Sequence, residues 1–241
     1  MKLLAFETAT EACSVALYLD GEVRERFEIA PRRHAELALP WAEALLADAG
    51  VTRSDLDAIA ISRGPGAFTG VRLAIALAQG IAMALDRPIV PISTLKVVAA
   101  SLVLPYATEP AGSKQRILAA IDARMGEVYA GAFMREGADL VALSDEMVGV
   151  PDAVTLPDDD GRWHGAGTGF AALDGALQAR LQPRLASVDA QVLPHASDLA
   201  QLASLAHARG EFVAPERVEP AYLRDNVALT LAEQEALRAS K

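Results

Sequence analysis

The chain has 241 residues, 52% of them apolar, a single cysteine and a formal net charge of −10. Length and apolar content support one large domain or two small lobes around a real core and exclude a wholly disordered chain. The acidic balance argues against a stand-alone nucleic-acid binder, and Cys13 alone excludes an internal disulfide or a multi-cysteine metal site.

Leu3 to Phe6 reads as a short strand closed by Glu7, too short for a secretory leader. Longer apolar stretches are broken by charge before the length of a membrane span, so a cytoplasmic protein without membrane contact is expected. Ser14 to Leu19 is a second strand, and Asp20-Gly21 signals a hairpin into Glu22 to Ile29. Pro31 opens a helix to about Ala49, with Leu37, Trp41, Leu45 and Leu46 at helical spacing. Pro40 should kink or weaken that helix, and Gly50 ends it. Ala58 to Ser62 is a fourth strand. Arg63 to Arg72, with three glycines and a proline, leads from it into a helix running from Val71 to Leu85. Only Arg72 and Gln79 are polar in that helix, so it must be covered on nearly every side, by this chain or by a second one. Ile89 to Ile92 is the fifth strand.

The stretch from Pro105 to Lys114 reads as a linker, after which the pattern restarts. Ile117 to Ile121 is an apolar strand closed by Asp122, Glu127 to Phe133 matches the second strand, Glu136-Gly137 matches the first hairpin turn, and Leu140 to Leu143 starts a third strand. This similarity at an offset of about 115 residues implies two related lobes, 1–108 and 109–241. Pro151 to Asp160 reads as a loop. Trp163-His164 leads into Gly165-Ala166-Gly167-Thr168-Gly169 and a helix to about Leu181, and a last helix runs from about Ser197 to Arg209. The glycine run is either a turn packed close to a neighbouring strand, the favoured reading, or the remnant of an adenosine loop; a dinucleotide fingerprint fits poorly. The tail after Thr230 is charged and should fray.

A duplicated βββαβα unit with an acid ending the first strand of each copy resembles the two-lobed α/β fold of actin, hexokinase and Hsp70, which is ribonuclease-H-like. Four stretches resemble the bacterial TsaB (YeaZ) family: Glu7 to Leu17, Gly64 to Arg72, Asp122 to Tyr129, and Pro220 to Asp225. The resemblance implies a non-catalytic subunit in the synthesis of N6-threonylcarbamoyladenosine on tRNA. It implies direct pairing with the catalytic paralogue TsaD, a place beside the ATPase TsaE in one complex, and tRNA met through that complex. Without TsaD, the same face would self-associate into a homodimer.

The resemblance places Glu7, Thr8 and Thr10 at a vestigial phosphate loop, where residual nucleotide binding is expected without any cofactor for catalysis. The alternative is a strand-end turn whose hydroxyls satisfy backbone groups. In the second lobe Ala123-Arg124-Met125 replace the small residues a second phosphate needs. The catalytic relative carries two histidines four residues apart; here Thr94 and Val98 stand in their place, so no metal site and no catalytic residue is expected. His34, His164, His195 and His207 are isolated, with surface or hydrogen-bonded roles as the default, and Cys13 reads as a small packed residue. Gly64-Pro65-Gly66 is read as a rigid turn rather than an anion nest. The expected partner face comprises Leu37, Trp41, Leu45, Val71, Ala74, Leu77, Ala78 and Ile81. Two competing readings are an ATP-dependent kinase or ATPase of the same fold and a metal-dependent peptidase.

Overall fold

The computed structural model describes residues 1–102, 114–157 and 161–224. Most of the expected linker and the charged tail lie outside the described residues. The first half gives β1 (Lys2–Glu7), β2 (Ala12–Leu19), β3 (Glu22–Ile29), α1 (His34–Ala49), β4 (Ala58–Ser62), α2 (Phe68–Leu85), β5 (Ile89–Ile92) and α3 (Thr94–Ser101). The second gives β6 (Gln115–Arg124), β7 (Glu127–Glu136), β8 (Asp139–Ala142), β9 (Met147–Gly149), β10 (Trp163–Ala166), α4 (Ala172–Leu181), β11 (Leu185–Asp189) and α5 (Ala196–Ala208).

The first sheet has the order β3-β2-β1-β4-β5, and the second has the order β11-β10-β6-β7-β8, with β9 also on β7. In both, an antiparallel meander leads into parallel strands, β1 to β4 and β5 in one and β6 to β10 and β11 in the other. This is the duplicated two-lobed α/β fold. The copies are unequal: among the described residues, no helix in the second lobe matches α1, and a single 3-10 turn at Pro151–Ala153 stands between β9 and β10. Strand β11 carries no strong alternation and leaves no signal in the sequence.

Strand alternation divides each sheet into two apolar faces. Leu4 and Phe6 of β1 face outward with Ile59 and Ile61, onto Ala38, Ala42 and Leu45 of α1 and Ala74, Ile75 and Ala78 of α2. Leu3 and Ala5 face inward with Ala16, Ala58 and Ala60, onto Leu199, Ala200, Leu202 and Ala203 of α5. Helix α3 packs Leu95, Val98, Ala99 and Leu102 on Ile117, Ala119, Ile121 and Phe133 of the second sheet. The outer face of that sheet, with Trp163 of β10 on it, is covered by Leu177 and Leu181 of α4 and by Phe170. The order is therefore helices, sheet, helices, sheet, helix. A cut at residue 108 separates the sheets but not the helices, because each half of the chain sends a helix into the shared middle layer. Helix α5, from the second half, covers the first sheet.

Helix α2 starts at Phe68, three residues before the expected Val71, so Gly70 lies in its first turn rather than in the loop. Its 18 residues are long and apolar enough by composition to cross a membrane. Here six of them, Gly70, Val71, Ala74, Ile75, Ala78 and Ala82, are buried in the first lobe. Helix α1 continues through Pro40, which lies on an exposed turn where water can reach the freed carbonyl.

The start of α5 is fixed by a polar cluster. Ser14 Oγ accepts from the Ala196 amide (3.0 Å) and donates to Glu25 Oε1 (2.7 Å), which also accepts from the Ser197 amide (3.0 Å). Glu25 Oε2 pairs with His195 Nδ1 at 3.0 Å, and the imidazole stacks on Phe27 with centroids 4.1 Å apart. Burial opposes ionisation of Glu25, but the hydrogen bonds from His195, Ser14 and Ser197 outweigh it and hold the carboxyl below its ordinary value. The Glu25 hydrogen bond holds His195 above its own ordinary value, against its partial burial.

The contribution of Glu25 is thus present above its unfolded value of 4.5 and lost as pH falls through its lower folded one. That of His195 is complete below 6.5 and lost as pH rises through its higher folded one. His195→Ala should therefore destabilise most near about pH 6, by about 1–2 kcal/mol, and progressively less toward alkaline pH. Urea unfolding of both proteins across that range checks this.

Candidate interlobe site at the strand ends

The carboxyl ends of parallel strands, where chain direction switches, are where open α/β sheets place their chemistry. Here they carry a row of polar groups. Glu7 ends β1, opposite Ser14 on β2, and Ser62 ends β4 beside it. By alternation all three continue the inner face of Leu3, Ala5, Ala16 and Ala60. All three are fully buried. Glu7 Oε1 accepts from the Ala9 amide at 2.7 Å, and Oε2 accepts from the Ser62 hydroxyl. Burial raises the Glu7 carboxyl to about 7, against the opposing effects of Ser62, Ala9 and, more distantly, His195.

The turn after β1 is closed by the start of α2. Thr8 Oγ1 donates to the Gly70 carbonyl at 2.7 Å, and the Ala67 amide donates to Ala9 O at 2.7 Å. Two glycines make this approach possible. A Cβ on Gly70 would stand 1.9 Å from Thr8 O, and one on Gly66 would stand 2.4 Å from Ala9 O. Thr10 Oγ1 accepts from the Ala12 amide at 3.3 Å, and His34 Nε2 lies 3.0 Å from Thr10 O and 3.1 Å from Ala12 O. The hydroxyls of the expected phosphate loop thus satisfy backbone groups, and Thr8 is sealed from solvent.

The second lobe repeats the position with different chemistry. Asp122 Oδ1 accepts from the Arg124 amide at 2.8 Å, and Oδ2 pairs with the Arg124 guanidinium at 2.9 Å. Arg124, Met125 and Gly126 are all left-handed, and the Met125 side chain points to solvent at 83% exposure. The long side chains therefore do not fill the loop as their size suggests; Arg124 instead pairs with the strand-end acid from the surface. Thr168 Oγ1 accepts from the Asp122 amide at 3.2 Å. Gly167 and Gly169 approach β6 closely: a Cβ on the first would stand 2.4 Å from Ala120 O, and one on the second 2.7 Å from Ala120 Cβ. This is the packed glycine turn favoured from sequence.

Thr94 and Val98 are buried on α3, Val98 within the second lobe's core. Among the described residues, no group of three or more His, Cys, Asp or Glu could hold a metal ion. Cys13 is a buried thiol pushed up to about 11 by burial and by Glu7 and Glu28, which leaves it unreactive. A shallow depression of about 570 Å³, lined by Met1, Asp57, Asp86, Arg87 and His207, lies at the opposite ends of the strands, away from this row.

The expected partner-face residues separate into two groups. Ala74 and Ala78 are wholly buried, and Val71 and Leu45 are nearly so, all within the first lobe's core. These four are corrected: their side chains face the sheet and are not available to a second chain. Leu37, Trp41, Leu77 and Ile81 are half-buried against the same core. The outward stripe of α2 consists instead of Phe68, Thr69, Leu73, Ala76, Gly80 and Met83, with Phe68 at 70% and Met83 at 65% exposure. Periodicity could not choose between the faces, because α2 is apolar all round. His195 is hydrogen-bonded, as its default role had it, whereas Ser14, Ser62 and Glu25 carried no assigned role; strand alternation from Glu7 was the available signal for the two serines.

Duplicated sheets, a shared helical layer and paired strand-end acids define a protein of the actin-like, ribonuclease-H-like class. A family model described as TsaD, tRNA N6-adenosine threonylcarbamoyltransferase, matches residues 27–231. The chain is 41% identical over 232 residues to the tRNA threonylcarbamoyladenosine biosynthesis protein TsaB of Escherichia coli, covering 95% of this chain and 96% of that one. The TsaB of Haemophilus influenzae is 34% identical over 94% of this chain and 95% of its own. The solved structure of YeaZ from Pseudomonas aeruginosa superposes with a TM-score of 0.79 at 44% identity, covering 92% of this chain and 99% of that one. The chain belongs to the TsaB (YeaZ) family.

The raised Glu7 value has a definite sign. The folded state holds the proton more tightly than the unfolded chain, so stability falls as pH rises from 4.5 to about 7 and is level above that. Glu7→Gln should flatten this slope, which amounts to about 3 kcal/mol at most. Denaturation midpoints at pH 5 and pH 8 measure it. Gly70→Ala should cost about 3 kcal/mol or more, since neither contact atom is a movable side chain.

Proposed function

We propose that the protein is a non-catalytic subunit for threonylcarbamoyl transfer to tRNA, acting as the direct partner of a TsaD-type transferase. Family membership supplies the pathway, through the relatives' names. The observation that carries the non-catalytic role is the closure of the strand-end row. Both oxygens of Glu7 are engaged, Thr8 is spent on Gly70, and Asp122 is paired with Arg124. A nucleotide at this row would have to break the contacts that close the first lobe. In this reading TsaE and tRNA meet the subunit within the complex, in the cytoplasm.

The docking face is the outward stripe of α2. Its exposed positions are apolar or small, and a Cβ placed on Gly80 would meet nothing within 4 Å, so a second helix can approach closely there. Met83 and Phe68 supply the larger side chains at either end. Covering two such side chains contributes roughly 1.5–3 kcal/mol each.

Charged residues on this stripe separate docking from folding. Ala76→Glu and Met83→Glu should leave the unfolding midpoint nearly unchanged, weaken binding to the cognate TsaD-type transferase by roughly tenfold or more, and reduce tRNA threonylcarbamoylation in a reconstituted assay. Wild-type assembly and modification with both variants would overturn the docking face. Loss of self-association alone would assign the stripe to a homodimer instead.

A further inference from the structure

The chain after α5 runs back over both lobes. Val213 pairs with Ile89 at the free edge of β5, each amide 2.9 Å from the other's carbonyl. The Pro215 carbonyl accepts from Gln79 of α2 at 2.9 Å, and Val218 is buried in the first lobe's outer core. The Ala221 amide donates to Arg63 O at 2.8 Å. Gly64 beside it leaves room: a Cβ there would stand 3.3 Å from Ala221 O, and its φ is +101°. The Tyr222 hydroxyl accepts from the Arg72 guanidinium, which also lies 3.3 Å from the centroid of the Phe68 ring. Two residues later the chain has crossed lobes. Arg224 forms an ion pair with Glu127 at the start of β7, and its guanidinium donates to Ala123 O of β6 at 3.2 Å. The pair is largely shielded from water, with side-chain exposures of 19% and 31%.

We propose that residues 213–224 are an interlobe strap that fixes the angle between the two lobes and couples that angle to the docking face on α2. Chain length argues for it. Tyr222 and Arg224 are two residues apart, a reach of at most about 7 Å. The backbone between the anchor on α2 and the anchor on the β6–β7 turn is therefore short, and the give that remains lies in the Tyr222 and Arg224 side chains. A change in lobe angle larger than those side chains can follow breaks the Ala221 and Tyr222 contacts or the Arg224 contacts. The first of these anchors also grips the head of the docking helix, through Arg72 and Phe68. Partner binding that orders this end of α2 therefore favours the closed strap, and the reverse holds by linkage. The coupling rests on the docking reading proposed above; the strap itself does not.

The test uses the full chain, with amide hydrogen exchange followed at 218–224 and 122–129. Arg224→Ala should speed exchange in both segments roughly tenfold, while amides of β1 and the middle of β6 keep their protection and so report an intact fold. The charge-swapped pair Arg224→Glu with Glu127→Arg should restore most of that protection. Unchanged exchange in Arg224→Ala overturns the strap. Binding to the cognate TsaD-type transferase is measured in parallel, with Ala76→Glu as reference. A several-fold loss for Arg224→Ala supports the coupling. Faster exchange with unchanged affinity overturns it, provided Ala76→Glu weakens binding. If Ala76→Glu binds normally, the docking reading and with it the coupling fail, and the strap stands or falls on exchange alone.

Discussion

The shared helical layer is the constraint on which the rest of the molecule depends. Each half of the chain lends one helix to the space between the sheets, and α5 can lie there because both surfaces are built of small residues. Ala5, Ala16, Ala58 and Ala60 line the sheet, and Ala196, Ala200, Ala203 and Ala206 line the helix. Close approach of this kind leaves no room for a mobile cleft floor, since interiors packed at this density yield little to compression. It also dictates where the start of α5 must fall, and that start comes to rest on Ser14, Glu25 and the residues beside Glu7. Ser101 of α3 completes the tie, donating to Asp198 of α5 at 2.7 Å and accepting from the His195 amide at 3.2 Å.

From this placement follows the character of the strand-end row. A carboxyl group at the end of β1 would face water if α5, the Gly64–Ala67 loop and the head of α2 stood back. With all three in place it is fully buried, and the cost appears as a raised pKa rather than as a counter-ion. Perturbed carboxyls often mark catalytic groups. The geometry around Glu7 supports the proposed non-catalytic role instead. Both Glu7 oxygens are satisfied by neighbours within the lobe, and a group that cannot be reached by solvent cannot meet a substrate without the loop moving. Asp122, its counterpart, is only partly buried and pairs with the exposed Arg124, so the two lobes engage the same position by different means.

Much of this was legible in the sequence because strands and turns leave local signals. The first meander, the restart of the pattern after Lys114, and the acids Glu7 and Asp122 closing the two first strands follow from alternation and hairpin chemistry. What was not legible depended on packing between distant segments. Ala74 and Ala78 were assigned to a partner face because α2 offers no polar side to orient it; only the sheet beneath it decides which alanines turn inward. The shared layer was hidden for the same reason, since nothing local to Ala196–Ala208 says which lobe that helix covers. The size of Arg124 and Met125 suggested a filled loop, but the left-handed turn sends Met125 outward and leaves charge, not volume, as the effective change.

Helix α2 meets the first lobe's core with one face and the returning chain with a flank, and leaves a third face exposed. One face carries Ala74, Ile75, Ala78 and Ala82 into the core, where small side chains let the helix sit low on β4. A flank carries Arg72 and Gln79, its two polar side chains beyond the first turn, and both are occupied by the returning chain at Tyr222 and Pro215. The third face has neither a buried contact nor a charge. A helix exposed to water on its third face would gain from polar residues there at no cost to packing or to the strap. Leu73, Ala76, Gly80 and Met83 stand there instead, an arrangement that stability and solubility of this chain alone do not favour, and that a second protein covering the face does.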